Sequence, residues 1–115
     1  MTPYELPISG GVIKLEWGTW AMHRFCEMNG NLAISKLMQL YDGETFSFKH
    51  IITMVQAGSE SAGLVLDERT AAKYIDEAGG PNGVAVTEFV HYTIKSMIPD
   101  IPTDEKQQPV EEKKS

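Results

Sequence analysis

The chain has a single cysteine, Cys26, among 115 residues, so no internal disulfide can staple it. A reducing compartment is the default expectation for such a sequence. No apolar run approaches the ~20 residues that a membrane span requires. The opening Met1-Thr-Pro-Tyr-Glu-Leu-Pro7 lacks a basic region followed by an apolar stretch, so no secretory signal is expected. Basic side chains are in the minority, with 10 Lys and Arg against 16 Asp and Glu and a formal net charge of -6. A nucleic-acid-binding module displaces counterions with Lys and Arg, and this balance excludes that class. It suits a soluble protein whose partner is another protein.

Catalytic and ligand signatures are scarce as well. Gly79-Gly-Pro-Asn-Gly83 follows a helical pattern and has no Lys-Ser or Lys-Thr after it, so it reads as an interhelix connection rather than a phosphate loop. Asp42-Gly-Glu44 lacks the alternating oxygen ligands of a calcium loop. His23, Cys26 and His50 would supply three metal donors, but a fourth ligand and a paired-ligand motif are missing. Cys26 then reads as a small buried hydrophobe. A Cys–His nucleophile would need an orienting acid and a Gly-rich oxyanion loop, and neither can be picked out. The expectation is a protein that is not an enzyme and has no cofactor and no metal.

What is present is a patterned core. Hydrophobic residues make up 42% and charged residues 23%, ordinary for one globular domain with a modest interior. The stretch from Ile13 to Gly30 organises the chain. Ile13, Leu15 and Trp17 alternate with Lys14 and Glu16, as in a half-buried strand. The period then lengthens: Trp17, Trp20, Ala21, Arg24, Phe25 and Met28 fall at helical spacing, and Asn29-Gly30 stops the helix. Gly18 sits at the switch, and Thr19 is the expected N-cap. Before it, Thr2 to Ile8 reads as an edge strand because Pro3 and Pro7 lack donors. Ser9-Gly10-Gly11 turns into a return strand from Val12 to Trp17. A hairpin alone is marginal in water, so it must pack on the helices or extend a partner's sheet.

The spacing predicts helices over Thr19 to Met28, Leu32 to Tyr41, and Ser47 (as N-cap) to about Ala57. Ile34, Leu37, Met38 and Tyr41 share one face of the second, and Ile51, Ile52, Met54 and Val55 make the third the central helix. Gly58 to Gly63 reads either as a frayed continuation or as a loop. Asp67 caps a fourth helix that buries Ala71, Tyr74, Ile75 and Ala78. The last helix, about Val84 to Met97, carries the stripe Val86, Phe89, Val90, Thr93, Ile94 and Met97. Prolines 99, 102 and 109 and a run of charged and Gln residues then argue for a disordered tail. The expected class is mainly α (α+β): an N-terminal β-hairpin followed by about five short helices in a domain over 1–98, and a charged tail over 99–115.

The hairpin with its Gly turn, the run Trp17-Gly-Thr-Trp-Ala-Met-His-Arg-Phe-Cys-Glu-Met-Asn-Gly30, the amphipathic Leu32-Ala-Ile-Ser-Lys-Leu-Met38, the further short helices and the charged tail together characterise the chain. In this it resembles the tail assembly chaperones of long-tailed bacteriophages and of related prophage or gene-transfer-agent tail-like elements. The likeness covers residues 4 to 97 and is strongest from Ile13 to Leu40. It implies a protein of the host bacterial cytoplasm that holds the tape measure protein while major tail tube protein polymerises around it. The chaperone would self-associate and be absent from the mature virion. Many such chaperones have a second, longer form made by ribosomal frameshifting, and Lys113-Lys114 is the kind of pair at which ribosomes slip. The contrasting expectation is a small acidic regulator or inhibitor that binds one folded partner. Scattered acidic residues weigh against it.

Candidate protein-binding residues are Trp17, Trp20, Phe46 and Phe48. Trp is enriched at interaction hot spots, although a strand–helix junction also gives at least one of the two tryptophans a core position. Phe46 and Phe48 flank the Ser47 cap, where a hydrophobic staple or core insertion competes with a binding role.

Overall fold

The computed structural model describes residues 2–97; the tail expected over 99–115 lies outside the described residues. The chain forms a two-stranded antiparallel hairpin followed by five helices. Strands β1 (Tyr4–Ile8) and β2 (Gly11–Leu15) pair with Leu6 opposite Ile13 and Tyr4 opposite Leu15. Residues of alternating position point to one face, so Leu6, Ile13 and Leu15 are buried while Glu5, Val12 and Lys14 are exposed. Gly10 closes the turn at φ +84°, a conformation that costs a side-chain-bearing residue.

The helices are α1 (Thr19–Met28), α2 (Ile34–Gly43), α3 (Phe48–Ser61), α4 (Glu68–Glu77) and α5 (Val84–Met97). Helix α3 is the centre of the molecule. Ile51, Met54, Val55, Ala57 and Gly58 are buried along it, and α1, α4 and β2 all pack on it. The hairpin lies across the helices and is tied to three of them. The Glu16 N–H donates to the Gly58 carbonyl of α3 at 3.0 Å, the Ser9 N–H to Glu77 Oε1 of α4 at 2.9 Å, and the Tyr4 hydroxyl to the Ala85 carbonyl of α5 at 2.6 Å. Trp17 fills the junction, with Phe25 and Phe89 at centroid distances of 5.8 and 6.3 Å in edge-to-face geometry.

Several details differ from the sequence reading. Thr19 does not cap α1. It is the first helical residue, Gly18 stands at the N-cap, and no side chain caps that end. Glycine at the N-cap has no side chain to offer; the Gly18 carbonyl simply accepts the Met22 N–H at 3.0 Å. Helix α2 starts two residues later than expected and ends at Gly43. Of its apolar face Leu37 is buried and Met38 and Tyr41 are half-buried, but Ile34 is 76% exposed because the first turn stands clear of the core. Helix α3 runs on to Ser61, so residues 58–61 continue it. Ser59 is fully buried there, and its hydroxyl donates to the Leu64 carbonyl at 2.6 Å, which settles a polar group in the core. Among the described residues no helix is long and apolar enough to cross a membrane.

Candidate protein-interaction groove

The link from α2 to α3 borders a concave part of the surface. Helix α2 ends in a left-handed turn: Glu44 takes φ +51°, its N–H donates to the Tyr41 carbonyl, and the Thr45 N–H donates to the Leu40 carbonyl. Ser47 then caps α3. Its Oγ accepts the His50 N–H at 3.1 Å, and its own N–H donates to His50 Nδ1 at 2.9 Å. This is a capping box with histidine where Glu or Gln is usual. The reciprocal cap sets the directions of the two neighbouring phenylalanines. Phe46 turns inward onto Tyr41, with ring centroids 5.0 Å apart, and onto His50 at 6.3 Å. Phe48 turns outward and is 73% exposed.

A groove of about 310 Å³ opens beside this cap. The end of α2 contributes Tyr41 and Glu44; the start of α3 contributes Phe46, Phe48 and Ile51. Its other wall is α5, through Thr87, Val90, His91 and Ile94, with Pro81 and Asn82 closing one end. The Tyr41 hydroxyl meets Thr93 Oγ1 at 2.7 Å and so pins α2 to α5 at the groove floor. A second cleft of about 200 Å³ lies on the far side of Phe48, bounded by Ile52 of α3 and by Ala72, Ile75 and Asp76 of α4. Phe48, Ile51 and Pro81 belong to both. The result is an exposed aromatic side chain shared by a groove of mixed polar and apolar lining and a smaller, mainly apolar cleft.

Polar groups at the groove's edge are engaged in hydrogen bonds within the fold. Burial pushes the Tyr41 phenol well above its ordinary pKa, so it remains a neutral hydrogen-bonding group. Burial, helped by Lys49, pulls His50 below the ordinary imidazole value. Ser47 and His50 are neighbours, but the imidazole Nδ1 is occupied by the Ser47 backbone N–H and not by its hydroxyl. That geometry holds a helix end and does not activate an oxygen. Burial also raises the Cys26 thiol, which makes it a poor nucleophile. Among the described residues no group of three His, Cys, Asp or Glu side chains is placed to hold a metal ion.

The four residues singled out from the sequence fall in three places. Trp17 is completely buried, so it cannot face a partner, and its assignment as a binding residue is corrected: it is the aromatic centre of the core. Trp20 is 54% exposed on α1, and its indole N–H donates to Glu60 Oε2 at 3.1 Å. Arg24 Nε donates to the same carboxylate at 3.1 Å, and Arg24 also pairs with Glu27. Phe46 is half-buried in the groove wall and Phe48 forms the ridge. Glu60 and Phe48 stand at opposite ends of α3, about 18 Å apart at 1.5 Å per residue, so Trp20 and the phenylalanines are separate patches. Sequence reasoning missed the α5 wall, because Val90 and Ile94 have the helical spacing of core residues. It also missed Glu60, whose partner lies 40 positions away. No model of a known protein family matches this chain, and neither does any curated protein or solved structure with which it was compared.

Proposed function

We propose that this protein is a non-enzymatic assembly chaperone that shields apolar helical segments of an elongated client. The resemblance to phage tail assembly chaperones makes the tape measure protein that client and the tail tube subunits its successors. The observation that carries the reading is Phe48, a large aromatic side chain 73% exposed at the border of a mixed polar–apolar groove and a mainly apolar cleft. Exposed apolar surface of this shape marks interaction sites, and an amphipathic helix docks by dropping anchor side chains into such hollows. Shallow hollows suit many weak contacts along a client, which displacement by polymerising tube subunits requires. One small domain covers only a short length of an extended client, so multiple copies act together, by self-association or by serial binding.

The experiment is co-expression with the tape measure protein encoded nearby, read by client solubility and by co-elution on size exclusion. The chaperone reading holds if the client is soluble only in the presence of this protein and elutes with several copies of it. An insoluble client beside a monomeric protein, with a frameshifted longer form also failing to rescue it, overturns the reading and leaves the single-partner regulator.

A further inference from the structure

Two helices end beside Phe48, and each places a carboxylate there. Helix α2 closes in the left-handed turn at Glu44, which lines the groove. Helix α4 closes one residue after Asp76, which lines the cleft. Helix C-termini carry partial negative charge and are stabilised by cations, yet neither last turn holds a basic residue. Both carboxylates are exposed, and among the described residues neither forms a salt bridge. No Lys or Arg lines the groove or the cleft; Lys49 follows Phe48 but lines neither. The positive end of α3 also meets the groove, but the Ser47–His50 capping box closes it. We propose that the face on either side of Phe48 binds a peptide segment whose apolar side chains are flanked by Lys or Arg. The apolar groups enter the groove and the cleft, and the cationic groups pair with Glu44 and Asp76.

Size and charge select this class of partner. Hollows of about 310 and 200 Å³ lie at or below the small end for a ligand site, so they take side chains rather than a whole small molecule. Phe48, Ile51 and Pro81 are shared by both, so two anchors on one segment can straddle them. An acidic segment would add like charge at two helix C-termini and is disfavoured. The formal net charge of -6 also attracts a basic partner from a distance. For the client proposed above this means a docking segment that is basic as well as apolar, an assignment that rests on that reading. Recognition of such a peptide by this face does not depend on it.

The test pans a display library of random peptides on the full chain and measures the enriched peptide by fluorescence anisotropy. Expected is a consensus of apolar positions with Lys or Arg within about one helical turn of them. Glu44→Gln and Asp76→Asn should each weaken binding about two- to fivefold, the range of an exposed ion pair. Phe48→Ala should weaken it about tenfold or more, as loss of an aromatic anchor does. Trp20→Ala, at the far end of α3, should leave the affinity unchanged. The two carboxylate replacements are nearly isosteric and lie at exposed positions, so circular dichroism should show the fold intact. No enriched peptide, a consensus without Lys or Arg, or unchanged affinity in the Glu44→Gln, Asp76→Asn double variant overturns the proposal. So does a consensus that matches a stretch of this chain, which would assign the face to a second copy. The library contains no client, so the result is separable from co-expression. A basic consensus beside failed client rescue keeps the peptide site and removes the chaperone; client rescue without such a consensus does the reverse.

Discussion

At the scale of single residues, two side chains show how position decides role. Trp17 is enclosed by Phe25 and Phe89 and has no exposed surface; its indole nitrogen is buried without a hydrogen-bond partner among the described residues. Its value therefore lies in packing. Trp17→Ala should cost about 3–5 kcal/mol in urea unfolding, as removal of a buried large aromatic does. Trp20→Ala loses one exposed hydrogen bond to Glu60 and should cost only about 0.5–1.5 kcal/mol. His50 carries a pH dependence. Its imidazole is held below the ordinary value of 6.5 by burial and by Lys49, and its Nδ1 accepts the Ser47 N–H only while unprotonated. The folded state thus binds the proton less tightly than the unfolded state. The associated stability is complete above 6.5 and is lost as pH falls through the lower folded value. His50→Gln keeps a capping-box acceptor without titrating. Unfolding curves between pH 7.5 and 5 should show the wild type losing stability relative to His50→Gln as the pH drops; parallel behaviour would remove His50 from the cap's proton linkage.

Among the elements, α3 and α2 are opposites. Helix α3 is buried along most of its length, and β2 approaches it at Gly58. A Cβ placed there would lie 3.2 Å from Leu15 Cβ and 3.4 Å from the Phe89 ring edge. Leu15 is held by the hairpin ladder and cannot rotate its Cβ away, so a larger residue would push the hairpin off the helix. Gly58→Val should destabilise the protein by about 1–3 kcal/mol, the usual range for overpacking, despite glycine's poor helix propensity. Circular dichroism with thermal melting reads the loss directly. In α2 only Leu37 is buried, and the Tyr41–Thr93 hydrogen bond supplies the tie to α5. Few buried contacts mean a low local opening energy. Amide hydrogens of α2 should exchange well before those of α3, and equal protection would show that α2 is held as firmly as the central helix.

Across the whole molecule, two exposed aromatic patches sit at opposite ends of α3, Trp20 with Glu60 and Arg24 at one and Phe48 with its hollows at the other. Phe48→Glu places a charge on the ridge without opening the core, so stability should change by no more than about 0.5 kcal/mol. Under the proposed function it should abolish client co-elution, while Trp20→Ala should leave co-elution intact. The reverse result would move the client site to the α1 end.

The period of the apolar residues, the two glycine-rich breaks and the Ser47 and Asp67 caps were enough to place the hairpin and the five helices, because these signals are local. Helix ends were less legible: α3 runs through Gly58 and Ser59 because tertiary burial outweighs their weak propensity. The groove was half-legible. Phe46 and Phe48 stand out beside a cap, but the opposite wall is written as an ordinary core stripe. Only packing splits that stripe, sending Val86, Phe89 and Thr93 inward and leaving Val90 and Ile94 along the groove. The sequence determined which residues are apolar and how they repeat along each helix. The tertiary structure decided which of those faces found a partner, because α2 meets α5 at its end and leaves the space between them open.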